Sequence, residues 1–241
     1  MSASADSSFQ IYSLSGKIIL KKHKSHDQVP VNVLKSIGQN LIATGADDGS
    51  VKLWDIASKS LVNSWKENSD YISDMLSMDH QIIVTGSDGL LSIFDDRNKK
   101  ALAVSEYQED ELTCCCLVKN GTKLAVGTDS GTLLLFNVGE WGDHTDRIKM
   151  SHGAIESIIK LNESIVIVGF DDGSIYTVNL FPNSIGKCLH APNPNTYDSL
   201  MLSFDSKLVL GMSSTDECET LVKLKTLNFD KHAHSFFADL E

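Results

Sequence analysis

The sequence has little that would support membrane insertion or a disulfide framework. No apolar run approaches the roughly 20 residues that a membrane-spanning helix needs. Residues 1–8 lack the basic and apolar segments of a secretory signal. The five cysteines are an odd number without framework spacing, which suits a reducing compartment such as the cytosol or nucleus. We therefore expect neither a membrane anchor nor a fold held together by disulfides.

Basic residues are also scarce. Lys and Arg total 21 against 32 Asp and Glu, which gives a net charge of −11. Such a chain repels a phosphate backbone, and no basic stripe with interleaved aromatic residues compensates for that repulsion. We therefore expect no direct nucleic-acid binding. Apolar residues make up 41% of the chain, which is enough to build a packed core.

Motifs of catalysis and cofactor binding are missing as well. The glycines form neither GxGxxG nor a phosphate-binding P-loop, and the sequence has no HExxH motif and no nucleophile elbow. The run Cys114, Cys115 and Cys116 lies in a predicted strand, so only two of its thiols share a face, too few for a zinc site. We predict no catalytic residue, no cofactor and no metal, and hence no enzyme.

The sequence does contain an internal repeat of about 40 residues. Four segments, which start at Gly45, Gly86, Gly127 and Gly169, line up without gaps over their cores. Their turn glycines are 40, 42 and 42 residues apart, at Gly49, Gly89, Gly131 and Gly173. Five residues after these glycines come Trp54, Phe94, Phe136 and Val178, each followed by Asp or Asn. This period, with a Gly/Asp turn and a closing Trp-Asp, is typical of four-stranded propeller blades.

The repeat therefore predicts an all-β fold, a WD-repeat β-propeller over residues 9–227 with about five and a half blades. Four complete blades are expected at about 26–66, 70–106, 111–151 and 154–190. A partial blade at 9–23 precedes them, and a degenerate blade at about 196–227, with a long turn at 213–219, follows. We expect residues 1–8 to be disordered and residues 228–241 to form a C-terminal tail with a Phe-Phe motif.

Several polar residues recur at fixed places in the repeat. In WD repeats, an Asp before the turn glycine commonly joins a hydrogen-bonded tetrad with a His before the inner strand, a strand Ser or Thr, and the Trp. We assign to such structural tetrads and turns the residues His26, Thr44, Asp48, Trp54, Asp88, His152 and Asp172. A catalytic His–Asp pair is disfavoured, because no nucleophile recurs beside it.

Two segments with aromatic residues, a predicted loop and the C-terminal tail, are candidates for partner binding. Trp141 lies in the predicted loop 139–144, where it either anchors an interface or packs against its own blade. The tail contains Phe236, Phe237 and Leu240, which either dock onto a partner or fold back over the open end of the last blade.

Segments of several blades resemble the WD repeat-containing protein 55 family. The resemblance covers about residues 9–241 and is carried by YISDM at 71–75, residues 127–137, WGDHTDR at 141–147, VNLFPN at 178–183 and FFADL at 236–240. The loop at 141–147 and the Phe-Phe tail are its specific parts. Members of this family usually have seven blades, so the chain looks short by nearly two blades at its N-terminus.

The resemblance implies a nuclear or nucleolar scaffold, with the cytoplasm as an alternative location, that takes part in ribosome production and ribosomal RNA processing. Its partners are then pre-ribosomal proteins, and the chain is a monomer within larger complexes. Some members are substrate receptors of cullin-4 ubiquitin ligases, in which an Arg two residues after the blade Asp contacts the ligase adaptor. Asp95 and Arg97 hold these positions, although Arg97 alternatively caps a turn and Ala57 stands at its place in the blade at 26–66. An enzyme that uses the central channel is the least supported alternative.

Overall fold

Strands account for the regular secondary structure of the protein. The computed structural model describes residues 1–192, 197–204, 208–215 and 218–226, with the backbone alone from residue 213 onward. These ranges contain 22 strands in six antiparallel sheets and no helix. Consequently, no helix in the described ranges is long and apolar enough to cross a membrane. The predicted all-β class is confirmed.

The first sheet comes from the N-terminus and has three strands, β1 (Ser2–Ala3), β2 (Phe9–Tyr12) and β3 (Ile18–Lys22). It corresponds to the partial blade expected at 9–23, but it has one more strand. Ser2 pairs with Gln10 and Ala3 pairs with Phe9, so residues 1–8 contain a strand and a turn. The expected disorder of residues 1–8 is therefore wrong, because β1 completes a hairpin with β2.

The four complete blades each contain four strands, which follow one another in sequence order within one sheet. The first and second complete blades consist of β4 (Val31–Ile37), β5 (Leu41–Ala46), β6 (Val51–Asp55), β7 (Ser60–Trp65), β8 (Ile72–Met78), β9 (Gln81–Gly86), β10 (Leu91–Asp95) and β11 (Ala101–Val104). The third and fourth consist of β12 (Leu112–Val118), β13 (Lys123–Thr128), β14 (Thr132–Asn137), β15 (Asp146–Lys149), β16 (Ile155–Asn162), β17 (Ile165–Phe170), β18 (Ile175–Asn179) and β19 (Ser184–His190). Each sheet lies within one predicted blade.

The last described sheet has three strands, β20 (Ser199–Leu202), β21 (Leu208–Thr215) and β22 (Cys218–Thr226), within the blade expected at 196–227. The ladder between β21 and β22 continues as far as the pair Thr215 and Cys218. The long turn expected at 213–219 is therefore wrong, since most of that segment is paired strand. Residues 228–241, with the Phe-Phe motif, lie outside the described residues.

The core lies between the sheets. Alternate side chains of a strand point to opposite faces, so Leu53 and Trp54 on β6 contact different neighbours. Leu53 packs with Phe94 of the second complete blade, whereas Trp54 packs with Phe9 of the first sheet, at 5.5 Å between ring centroids. Each of the four complete blades buries its two faces against the sheets on either side.

Neighbouring blades also meet through their innermost strands, β4, β8, β12, β16 and β20. The Asp74 carboxylate accepts a hydrogen bond from the Cys115 N–H at 3.0 Å, which joins β8 to β12. Thr113 Oγ1 donates to the Ile155 carbonyl at 2.5 Å, which joins β12 to β16. One polar side chain at each of these junctions thus holds adjacent inner strands together around the channel.

The turns between the second and third strands require glycine for two separate reasons. Gly49 has φ +77°, which glycine adopts without strain, and a Cβ built there would lie 2.2 Å from the Asn68 carbonyl oxygen. Gly16 has a similar φ of +80°, but a Cβ there would meet nothing within 4 Å. A side chain at Gly16 would therefore introduce backbone strain alone, whereas a side chain at Gly49 would introduce backbone strain and a steric clash.

We predict that Gly49→Ala destabilises the protein more than Gly16→Ala does. Gly16→Ala costs only left-handed backbone strain, about 1 kcal/mol. Gly49→Ala adds the clash with the backbone of the next blade, roughly 1–3 kcal/mol more. Urea unfolding of both variants measures the difference, and equal free energies of unfolding would contradict the close approach between these blades.

Candidate functional site

The polar residues before and within the first complete blade form one continuous network. His26 Nε2 and Thr44 Oγ1 lie 2.7 Å apart, and Trp54 Nε1 donates to the same hydroxyl at 3.0 Å. His26 Nδ1 lies 2.7 Å from Ser50 Oγ, which in turn donates to Asp48 Oδ1 at 2.6 Å. The structure thus brings together the four residues assigned from the sequence and inserts Ser50 between the His and the Asp.

His26 is neutral in this network. Burial, together with the nearby Lys52 ammonium, lowers the pKa of its imidazole from 6.5 to about 4. The side chain is 2% exposed, and both ring nitrogens have hydroxyl partners. A neutral imidazole donates from one nitrogen and accepts at the other, so His26 joins the loop before β4 to strands of its own blade.

In the second complete blade an asparagine occupies the place of the histidine. Asn68 Nδ2 donates to Asp88 Oδ1 at 2.9 Å, and the Ser69 N–H donates to Asp88 Oδ2 at 2.6 Å. Our sequence analysis assigned Asp88 but missed Asn68, which is buried. Its position 20 residues before the Asp was the available signal, since His152 precedes Asp172 by the same number of residues.

The fourth complete blade has only part of the set. His152 Nδ1 lies 3.3 Å from Asp172 Oδ2, and the Ser174 N–H donates to Asp172 Oδ1 at 2.8 Å. The Ser174 hydroxyl lies 3.4 Å from the same ring nitrogen, and the imidazole packs against the rings of Phe170 and Tyr176, with centroids 4.8 and 4.5 Å away. Ring packing thus supplements the polar contacts at Nδ1, whereas His26 has a hydroxyl partner at each ring nitrogen.

The third complete blade departs furthest from the pattern. Asp110 stands where the other blades have His or Asn, and Ser130 replaces the Asp before the turn glycine. A hydrogen bond between the Asp110 and Asp129 carboxyls raises the pKa of Asp129 to about 6. The Asp110 and Asp129 carboxyl groups therefore lie close together where the other complete blades have the His or Asn of the network.

Arg97 is held in one orientation after β10. Its Nε and one terminal nitrogen donate to the two Asp95 carboxylate oxygens at 2.9 and 2.7 Å, and its backbone N–H donates to Asp95 as well. The Arg97 side chain is 64% exposed, so its guanidinium stays solvated, whereas the Asp95 side chain is 8% exposed. Hydrogen bonds from Arg97 hold the pKa of Asp95 well below its usual range. Arg97 thus caps the turn and also presents its charge to solvent.

Trp141, Cys114 and Cys115 lie in the interior. Trp141 is 6% exposed and packs with Leu91 and Phe136 between the second and third complete blades, which favours the alternative that it packs within the fold. Burial raises the pKa of both Cys114 and Cys115 well above its ordinary value, so these thiols stay protonated. Among the described residues, no group of three or more His, Cys, Asp and Glu side chains is arranged to hold a metal ion. Phe236, Phe237 and Leu240 lie outside the described residues.

Comparison with known proteins places these blades in a family. A model of the WD domain, G-beta repeat, matches residues 18–55, and a model of the RSE1/DDB1/CPSF1 second beta-propeller matches residues 48–217. WD repeat-containing protein 55 of Arabidopsis thaliana is 33% identical over 231 residues, which are 94% of this chain and 65% of that protein. The chain belongs to the WD repeat-containing protein 55 family.

Relatives in other organisms match shorter shares of their own length. Human WD repeat-containing protein 55 is 33% identical over 172 residues, which are 70% of this chain and 45% of the human protein. WD repeat-containing protein JIP5 of Cryptococcus neoformans is 33% identical over 224 residues, which are 90% of this chain and 59% of that protein. The chain thus spans about half to two thirds of the length of these relatives.

A solved structure supports the fold of this WD repeat-containing protein 55 family member. A chain in the crystal structure of the mitotic checkpoint complex has a TM-score of 0.75 to this protein, over 89% of this chain and 72% of the other. The two are 13% identical, so the likeness concerns the fold alone. Together with the WD-domain match, it confirms the predicted β-propeller.

We predict that His26→Gln removes a pH-dependent part of the stability. Because the folded pKa of His26 lies below 6.5, its contribution is complete above pH 6.5 and is lost as the pH falls towards 4. The difference in free energy of unfolding between the wild type and His26→Gln should therefore shrink by about 2 kcal/mol between pH 7 and pH 4.5. Denaturant unfolding at both pH values measures this difference. The exposed His23→Gln is the matched control, and the same trend in both variants would exclude the assignment to His26.

Proposed function

We propose that this protein is a non-enzymatic scaffold for protein–protein interactions in ribosome biogenesis and ribosomal RNA processing. Members of the WD-repeat class bind other proteins through the surfaces of their propellers, and the family membership supports the same role here. The observation that carries the proposal is the repeated sheet itself. Its buried residues hold the blades together, and its turns and outer strands offer a broad surface without need of a reactive group.

The polar networks support a structural rather than a catalytic role for the recurring histidines. Thr44 and Ser50 are the hydroxyl groups nearest to His26, and both already hydrogen bond within the blade. The low pKa of His26 keeps it neutral, but its ring nitrogens have no free position for a substrate. A general base requires reach to a substrate proton, which this buried arrangement does not provide.

Location and partners form the second part of the proposal. We place the protein in the nucleus and nucleolus, with pre-ribosomal proteins as partners, on the strength of the family resemblance. The net charge of −11 favours contact with protein components of a pre-ribosomal particle over contact with its RNA. A monomeric chain within a larger complex fits this role.

Proximity labelling in cells tests the proposed pathway. We expect the tagged protein to label pre-ribosomal proteins in the nucleolus, and its depletion to increase unprocessed ribosomal RNA precursors on a northern blot. A Gly49→Ala variant, in which the blades are destabilised, is the control for labelling that does not depend on folding. Normal precursor levels after depletion, or labelling without pre-ribosomal proteins, would refute the pathway.

A second candidate function, a substrate receptor of a cullin-4 ubiquitin ligase, is favoured by the geometry of Arg97. The bidentate pair with Asp95 fixes the guanidinium before any partner arrives, so little side-chain entropy is lost on binding. This residue lies in the turn between β10 and β11, at the position where such receptors contact the adaptor.

The receptor function predicts that Arg97→Ala loses recovery of the purified ligase adaptor in a pull-down by about tenfold or more. Lys99→Ala is the matched control, because it removes the same charge from an exposed site two residues further along the turn. Lys99→Ala should keep the thermal unfolding midpoint of the wild type, because its side chain is exposed. Arg97→Ala should lower the midpoint, because it leaves the buried Asp95 carboxylate without its partner, so recovery is measured at a temperature at which both variants are folded. Equal recovery of the adaptor by the two variants would exclude the receptor role at this turn.

A further inference from the structure

A cleft of about 710 Å³ separates the second and third complete blades near their outer strands. One wall is the connection from β11 to β12, including Glu106, Tyr107 and Glu109. The other wall is the outer part of the third complete blade, including Arg147 and Lys149 of β15. This volume falls in the range of ligand-binding pockets, and the cleft is distinct from the Arg97 turn.

The internal repeat varies at the position of Leu134. Three residues after each turn glycine, the first and fourth complete blades carry Lys52 and Tyr176, the second carries the buried Ser92, and the third carries Leu134. Lys52 Nζ donates to the Ser25 carbonyl at 2.8 Å, and the Tyr176 ring packs on His152. Leu134 instead lines the cleft. The cleft thus lies at a position where two of the other three complete blades place a long side chain.

The wall on β15 offers two unpaired cations. In the antiparallel register Arg147 faces Leu134 and Lys149 faces Thr132, so both charged side chains lie on the same face of the sheet. Both are exposed, and neither has a carboxylate within salt-bridge distance among the described residues. An anionic group in the cleft would gain a partner from each without breaking an existing ion pair.

The facing wall offers two carboxylates that are equally unpaired within the described part of the chain. Glu106 and Glu109 are exposed and take part in none of its salt bridges. Their backbone is nevertheless fixed, because the buried Gln108 between them donates from its N–H to the Gly89 carbonyl at 3.1 Å, and its Oε1 lies 2.8 Å from His144 Nδ1. A rigid wall of this kind presents its charges with little loss of entropy on binding.

Tyr107 adds an aromatic group at the edge of the cleft. Its side chain is 65% exposed, and its ring lies beside Gly89, where a Cβ would come within 2.8 Å of it. Exposed tyrosines are enriched at protein interfaces, because the ring supplies contact area at a low entropic cost. An extended chain that entered the cleft would therefore meet an aromatic surface on the wall that carries Glu106 and Glu109.

We propose that this cleft binds an extended peptide segment of a protein partner that carries both an acidic and a basic side chain. The acidic side chain pairs with Arg147 and Lys149, and the basic one pairs with Glu106 and Glu109. Asp110 and Asp143 also line the cleft, so its carboxyl groups repel a purely acidic ligand and a nucleic-acid phosphate, while Arg147 and Lys149 disfavour a purely basic ligand. This site rests on the proposed scaffold function, which it deepens by naming a surface and the chemistry of its ligand.

Fluorescence anisotropy with labelled seven-residue peptides and the intact chain tests the site. The probes are Glu-Glu-Gly-Ser-Gly-Lys-Lys, its reverse Lys-Lys-Gly-Ser-Gly-Glu-Glu, and versions with four Glu or four Lys around the same spacer. We expect one mixed-charge peptide to bind about tenfold or more tightly than both single-sign peptides. If no probe binds saturably, or if a single-sign peptide binds as tightly as the better mixed one, the proposal is overturned.

Charge variants then assign the binding to the cleft. Arg147→Glu combined with Lys149→Glu should lose the mixed-charge peptide and gain the four-Lys peptide, because the cleft then carries negative charge on both walls. Lys187→Glu, an exposed change on β19 outside the cleft, is the matched control and should bind like the wild type. An equal loss in the control would overturn the site. Failure here leaves the labelling of pre-ribosomal proteins unaffected, so the two proposals fail separately.

Discussion

The four complete blades of this protein have apolar side chains on both faces, and the need to bury both rows governs the rest of the described structure. Val51 and Leu53 of β6 face one neighbour while Trp54 faces the other. No single sheet can cover both faces, so each blade is stable only between two others. The stacking commits the middle of every blade to the core, and what remains for partners is the turns, the loops and the outer strands.

This constraint also explains how much of the fold could be predicted from the sequence. Burial on both faces demands strands of constant length and a constant turn. These two requirements produce the repeat of about 40 residues, which can be recognised from a single sequence. The turn glycines are fixed twice, since at Gly131 φ is +77° and a Cβ would lie 2.5 Å from the carbonyl oxygens of His152 and Gly153 in the next blade. Few residues other than glycine can adopt this backbone conformation and also fit the close contact. The turn glycine therefore identifies each complete blade in the sequence.

The features missed from the sequence are those in which another residue type satisfies the same physical need. At the N-terminal turn, Ser7 adopts φ +61° in the place of the glycine, and the Ser8 N–H donates to Asp6 just as Ser50 donates to Asp48. Asn68 likewise supplies a donor where His was expected. The burial of Trp141 depends on a neighbouring blade, which no local pattern of residues reveals.

Departures from the repeat therefore carry more functional information than the repeat does. Positions that face the next blade are restricted by packing, as Leu133 and Leu135 are in the third complete blade. The position of Leu134 is filled by Lys, Ser, Leu and Tyr in the four complete blades, so the repeat does not fix its identity. Where this position holds Leu134, a cleft is present, and charged side chains that are unpaired among the described residues line both of its walls. A scaffold built from near-identical blades acquires distinct binding surfaces in this way. A blade that lacks the long side chain at this position has space for a partner, while its core residues stay buried.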